Sequence, residues 1–168
     1  MKEYGIAEGR RVELRNRHLT ITAYASQDTV WRGSHISLVL DVETAPEIHV
    51  YAPDNESYLP VSFGIDDNSA VSEVLETDFP PAEIVDLPAI KERVPVYAGR
   101  FRITRDLIVS LEIEQPELEL TGSFEYQACD EEFCYLPVKI PLDFRFEVKE
   151  VDSERVPESM RKPGTSGR

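Results

Sequence analysis

Apolar and polar residues alternate with a period of two along most of this chain. The alternating segments are rich in β-branched and aromatic residues, which is typical of half-buried β-strands. No stretch of about a dozen residues has the 3.6-residue period of a long helix. We expect strands in these segments: residues 18–26, 35–43, 47–53, 61–65, 93–103, 107–114, 117–128 and 138–150.

Short segments rich in Gly, Pro, Asn and Asp separate the predicted strands. Many short strands separated by such turns predict an all-β chain that folds as an immunoglobulin-like antiparallel β-sandwich. We assign residues 12–150 to this sandwich domain. Residues 1–11 are polar and are interpreted as a linker. Residues 151–168 contain few apolar side chains and are interpreted as a flexible C-terminal tail.

The charge of the chain limits its partners. Among 168 residues, 32 are Asp or Glu and 18 are Lys or Arg, which gives a formal net charge of −14. Such a surface repels phosphate backbones and anionic headgroups, so we expect no nucleic-acid partner. No apolar run approaches the roughly 20 residues of a membrane span. The N-terminal segment lacks the apolar region of a signal peptide.

Both cysteines of the chain lie in one short segment. Cys129 ends one predicted strand, Cys134 begins the next, and four residues lie between them. A connection of this length is found in β-hairpins. Residues that face each other across a hairpin lie about 4.5–5.5 Å apart at Cα, within the range that a disulfide accepts. The spacing therefore allows the two thiols to reach each other.

Four interpretations of the two thiols stay open on this evidence. They are a redox-active pair, a structural disulfide, two free thiols in a reducing compartment, and a metal site. By the loop-entropy estimate, a disulfide that closes so short a ring contributes only about 2 kcal/mol to the free energy of unfolding. This small contribution favours redox exchange over a structural role. A metal site lacks ligands, because His18, His35 and His49 lie far upstream without ligand spacing. We expect no metal and no cofactor.

The residues around the cysteines indicate the direction of the chemistry. Three acidic residues, Asp130, Glu131 and Glu132, lie between the thiols. Because negative charge disfavours a thiolate, we expect the pair to be attacked as a disulfide rather than to initiate exchange. Three aromatic residues lie close to the cysteines in the sequence: Tyr126, Phe133 and Tyr135. They either surround the two sulfurs or are ordinary aromatic residues of the strands.

The segment "YQACDEEFCYLP", followed by "VKIPL", resembles the cysteine hairpin of the DsbD N-terminal family, the disulfide-bond-corrector domains of thiol:disulfide interchange proteins. The family pattern is roughly Tyr-Gln-x-Cys, four or five residues, and Cys-x-x-Pro. The matching residues are Tyr126, Gln127, Cys129, Cys134 and Pro137. Looser similarity in residues 49–53 and 89–103 extends the resemblance to about residues 12–148.

The resemblance implies an immunoglobulin-like domain that relays electrons through Cys129 and Cys134. A thioredoxin-like domain or protein, possibly in the same native polypeptide, would reduce the pair, which would then reduce oxidised protein substrates. Both transfers would pass through mixed disulfides, with Cys134 forming the intermolecular bond. A cap loop within residues 78–90, whose only aromatic residue is Phe79, would cover the sulfurs in the resting state.

The resemblance also bears on the compartment and on the class of activity. It implies the periplasm, or the cytoplasm if the domain is fused to a soluble thioredoxin-like or peroxiredoxin-like protein. If active, the chain would act as a protein-disulfide reductase-type relay. The alternative is an immunoglobulin-like protein-binding module whose disulfide is structural.

Overall fold

The computed structural model describes residues 10–55, 58–88 and 90–150. Every regular element in these ranges is a β-strand. The strands are β1 (Val12–Arg15), β2 (Leu19–Ala25), β3 (Thr29–Val30), β4 (His35–Thr44), β5 (His49–Tyr51), β6 (Ser62–Ile65), β7 (Val71–Asp78), β8 (Glu83–Leu87), β9 (Glu92–Tyr97), β10 (Arg100–Val109), β11 (Glu117–Tyr126), β12 (Ala128–Cys129) and β13 (Val138–Val148). The predicted tail and all but the last two residues of the predicted linker lie outside the described residues.

The strands form three sheets. A five-stranded sheet has the order β1-β2-β4-β10-β7, and a four-stranded sheet has the order β3-β13-β11-β6. A third sheet has the order β12-β5-β9-β8. The pairings are antiparallel, apart from the parallel contact between β3 and β13. The predicted immunoglobulin-like β-sandwich is confirmed.

The core lies between the first two sheets and follows from the period-two pattern. In β4, Leu38 and Leu40 are fully buried, and in β11 Leu120 and Phe124 meet them from the opposite sheet in the same cluster. Successive strand residues point to opposite faces, so each alternating segment turns its apolar residues inward. Fully burying one such side chain stabilises the fold by about 1.5–3 kcal/mol.

The strand prediction is wrong in several places. It omits the short strands β1 and β3, and it omits β7 and β8, whose residues are mostly exposed and therefore carry no clear apolar alternation. It joins β9 to the start of β10, although Gly99 turns the chain between them with a φ of 74° that favours glycine. It also ends a predicted strand at residue 103, although β10 continues without interruption to Val109.

The third sheet positions the cysteines. The chain leaves the second sheet at Tyr126, the end of β11, and immediately enters the third sheet as β12. There Cys129 pairs with His49 of β5, so the cysteine lies beside a strand from the first third of the chain. No helix in the described ranges is long and apolar enough to cross a membrane.

Candidate redox site

Cys129 and Cys134 form a disulfide with their Cα atoms 4.0 Å apart. The two residues also face each other as an isolated antiparallel bridge. The bond that the spacing allowed is therefore present, and neither cysteine is free. Among the described residues, no group of three or more His, Cys, Asp or Glu side chains is arranged to hold a metal ion.

The two halves of the disulfide differ in exposure. Cys129 is 1% exposed and belongs to a small apolar cluster with Tyr51, Leu87 and Val96. Cys134 is exposed. Because a thiolate must reach the sulfur that it attacks, the side of Cys134 is the accessible one.

Hydrogen bonds within the loop determine the shape of the hairpin. The Asp130 N–H donates to the Phe133 carbonyl at 2.8 Å, and the Tyr135 N–H donates to the Ala128 carbonyl at 2.8 Å. The Asp130 carboxylate also accepts the N–H groups of Glu132 and Phe133, both at 2.7 Å. This use of an Asp side chain to bind the backbone of its own turn explains why "CDEEFC" folds as a tight loop.

Tyr135 connects the end of the loop to its beginning. Its hydroxyl donates to the second carboxylate oxygen of Asp130 at 2.6 Å. This bond, followed by those from the Phe133 and Glu132 N–H groups, holds the pKa of Asp130 below its usual range. The same contact raises the pKa of Tyr135. Asp130 therefore keeps a negative charge beside the disulfide.

Tyr51 provides a direct polar contact to the sulfurs. Its hydroxyl oxygen lies 3.0 Å from Sγ of Cys129 and 3.4 Å from Sγ of Cys134. Disulfide sulfurs carry no proton, so the tyrosine hydroxyl is the donor. Burial, with the charges of Tyr58 and Glu92, raises the pKa of Tyr51 to about 12, which keeps this donor protonated.

Tyr58 covers Tyr51 on the outer side. The two rings stack with centroids 4.6 Å apart and planes 10° from parallel. The Tyr58 hydroxyl donates to Glu92 of β9 at 3.2 Å. Neither tyrosine is among the predicted site residues, although the segment "HVYAP", which contains Tyr51, is one of the segments of family resemblance.

Tyr126 anchors the base of the hairpin. Its buried hydroxyl accepts a hydrogen bond from the Asn16 amide at 2.9 Å and lies 3.2 Å from Nδ1 of His18. The phenol oxygen and Nδ1 share a hydrogen bond, while Nε2 of His18 is buried with no hydrogen-bond partner among the described residues. His18 is 6% exposed and packs against Tyr135 with ring centroids 4.7 Å apart.

Gln127 joins the hairpin to the loop before β6. Its amide nitrogen donates to the Tyr135 carbonyl at 3.1 Å, and its amide oxygen accepts the Leu59 N–H at 3.3 Å. The Gln of the Tyr-Gln-x-Cys pattern thus positions the strand that carries Cys129.

The remaining predicted site residues lie in different parts of the structure. Phe133 is 60% exposed at the tip of the hairpin. Phe79 is half-buried and packs against the main core between the first two sheets. The predicted cap segment, residues 78–90, borders the Cys129 cluster through Leu87, with Val85 and Ile90 packed on it.

Comparisons with known proteins identify a family and similar folds. Residues 20–143 match the family described as thiol:disulfide interchange protein DsbD, N-terminal. The fold is similar to that of the N-terminal periplasmic domain of ScsB from Proteus mirabilis, with a TM-score of 0.57 and 14% identity over 85% of this chain and 52% of that one. The chain thus spans about half of that structure's length.

A second similar structure is the reduced N-terminal domain of Neisseria meningitidis DsbD. It has a TM-score of 0.43 and 15% identity over 66% of this chain and 81% of that one. No curated protein sequence matches the chain.

Proposed function

The chain belongs to the DsbD N-terminal family, and from this premise we propose that it relays electrons from a thioredoxin-like donor to oxidised target proteins. The observation that carries the proposal is the asymmetry of the disulfide. One sulfur belongs to an exposed residue of a hairpin, while its partner residue is buried beside a protonated tyrosine hydroxyl. Such a bond is open to attack from one side only.

The first transfer begins at Cys134. The thiolate of the donor attacks Sγ of Cys134, a new disulfide joins the two proteins, and the Cys129–Cys134 bond breaks. Its electron pair goes to Sγ of Cys129, where the Tyr51 hydroxyl is placed to donate to the new thiolate. The second cysteine of the donor then attacks its own sulfur in the mixed disulfide, which releases the thiolate of Cys134. Both cysteines take up protons, and the donor leaves oxidised by two electrons.

The second transfer reverses these steps toward a different protein. The thiolate of Cys134 attacks a disulfide of the oxidised target, and one target sulfur leaves with the electron pair. Cys129 then attacks Cys134 in the mixed disulfide, re-forms the intramolecular bond and releases the reduced target. The negative charge of Asp130 and its acidic neighbours disfavours the thiolate, so we expect the reduced pair to react slowly with small disulfides.

A purely structural role for the disulfide has less support. The hairpin is already closed by the backbone hydrogen bonds between Asp130 and Phe133 and between Tyr135 and Ala128. The core between the main sheets lies in a separate cluster from Cys129. A ring this short adds only about 2 kcal/mol through loop entropy.

The test compares donors of the same chemistry and different size. The oxidised protein is mixed with a reduced thioredoxin-like protein, with dithiothreitol or with glutathione, and the appearance of thiols is followed. We expect rapid reduction by the protein donor and slow reduction by the small thiols. The variant Cys129→Ala should lose turnover and keep its circular dichroism spectrum. Turnover by Cys129→Ala would contradict the proposal. So would a wild-type disulfide that resists the protein donor and whose forced reduction lowers the melting temperature by a large amount.

A further inference from the structure

Two large apolar side chains near Cys134 are exposed to solvent. Phe133 is 60% exposed and Leu136 is 85% exposed, the highest value among the exposed large apolar side chains of the described residues. Exposed apolar side chains are common when they are scattered singly, but a cluster beside a reactive group indicates an interaction surface. These two flank Cys134 in the sequence at positions −1 and +2.

The two side chains border a groove of about 600 Å³ whose lining includes Cys134. Pro137 and Val138 also line the groove, as do His18 and Arg17. The Arg17 guanidinium lies 5.1 Å from the centre of the Tyr135 ring. The disulfide therefore opens into a recess of mostly apolar character, large enough for a side chain of another protein.

Charged side chains of both signs lie at or beside the groove: Arg17 lines it, and the hairpin tip next to Phe133 is acidic. Glu131 and Glu132 are exposed at the tip of the hairpin, and Asp130 beside them is held ionised by its hydrogen bonds. A second copy of this chain would bring like charges together, which is unfavourable at an interface. A partner with basic groups around an apolar contact is complementary instead.

We propose that the groove, with Phe133 and Leu136, docks a thioredoxin-like partner that inserts an apolar side chain adjacent to its attacking cysteine and places basic residues against Glu131 and Glu132. This inference rests on the proposed relay function. Covering the two apolar side chains supplies a favourable free energy of association that a small thiol cannot obtain. The acidic tip then selects among partners mainly through the rate of association.

The apolar contact is tested with Phe133→Ser/Leu136→Ser and with the control Val74→Ser/Leu111→Ser, whose side chains are exposed outside the cysteine hairpin and the predicted cap segment. The donor is a reduced thioredoxin-like protein with lysines around its active site. We expect kcat/KM with this donor to fall about tenfold or more in the first variant, the equivalent of a lost apolar contact. Reduction by dithiothreitol should not slow, and the control should match the wild type.

An unchanged kcat/KM in the first variant, or an equal loss with dithiothreitol, would overturn the docking surface. If the donor fails to reduce even the wild-type protein, the relay function itself is wrong. The two failures are therefore distinguishable.

The charge contact is tested by a charge swap. The wild type should prefer the lysine-bearing donor over the same donor with those lysines changed to glutamate, and Glu131→Lys/Glu132→Lys should reverse that preference. The control Glu112→Lys/Glu114→Lys adds the same charges at exposed positions outside the cysteine hairpin and should leave the preference unchanged. A preference that does not reverse, or that reverses equally in the control, would show that the tip does not face the partner.

Discussion

The hydroxyl oxygen of Tyr51 lies 3.0 Å from Sγ of Cys129, the buried half of the disulfide, across 78 positions of sequence. The contact exists because β5 lies between β12 and β9 in the third sheet. A buried thiolate is costly unless a donor meets it. In the proposed relay, Tyr51 would donate to Cys129 when this cysteine becomes the leaving group.

We expect Tyr51→Phe to slow reduction of the disulfide by about tenfold or more, because a hydrogen bond to a charged group contributes about 1.5–3 kcal/mol. Both a thioredoxin-like donor and dithiothreitol should be affected, since the loss is at the leaving sulfur. Stopped-flow kinetics of thiol formation measures the change.

The control for this variant is Tyr58→Phe, which keeps the ring that stacks on Tyr51 and removes only the hydroxyl that donates to Glu92. Its rate should stay close to that of the wild type. Equal rates for Tyr51→Phe and the wild type would show that the hydroxyl does not assist the reaction.

The stability of the domain should fall as the pH is lowered through the titration of His18. Burial, with the neighbouring Arg17 guanidinium, holds the pKa of His18 below its usual value of 6.5. The unfolded chain therefore binds the proton first. Stability is complete above about pH 6.5 and is lost as the pH falls toward the lowered pKa of the folded state.

Thermal unfolding between about pH 7.5 and 5.5 should show this loss in the wild type. The variant His18→Gln should lose part of the pH dependence, and His35→Gln, in which an exposed imidazole is removed, should keep it. An identical pH dependence in His18→Gln and the wild type would contradict the assignment.

Gly122 should tolerate no side chain. It pairs with Ile65 of β6, and a Cβ added there would collide with the carbonyl oxygen of Gly64 and approach the Ile65 Cα to 3.2 Å. We expect Gly122→Ala to lower the free energy of unfolding by about 1–3 kcal/mol, as overpacking against backbone does. Denaturant unfolding measures the loss.

Gly64→Ala is the matched control, because nothing lies within 4 Å of a Cβ at that position. It should destabilise the domain less than Gly122→Ala. Similar losses in the two variants would mean that β6 and β11 can separate enough to admit the methyl group.

The strands that the sequence predicted best are those that bury one face. The pattern of residues 35–43 predicts a strand that the structure extends only to Thr44, because its apolar side chains all enter the core. The edge strand β7 has no fully buried residue, although Val71 packs against the core, and its apolar pattern is therefore weak. Periodicity thus reports burial, and it does not detect strands that the sheet holds only by backbone pairing.

Within the site, the local contacts were predictable from the sequence and the long-range contacts were not. The proximity of Cys129 and Cys134 was predictable because a four-residue loop determines it locally. The contacts of Tyr51 with Cys129 and of His18 with Tyr126 were not, because they join residues 78 and 108 positions apart. Such contacts depend on sheet order and register, which one sequence does not reveal.

The central claim is that a partner thiolate attacks Cys134 and displaces Cys129. The most direct test mixes the oxidised protein with a reduced thioredoxin-like protein that lacks its second cysteine, blocks free thiols by alkylation and maps the trapped disulfide by peptide mass spectrometry. The account predicts a bond between the partner and Cys134, with Cys129 recovered in alkylated form. A bond to Cys129, or no mixed disulfide while the intramolecular bond stays intact, would contradict it.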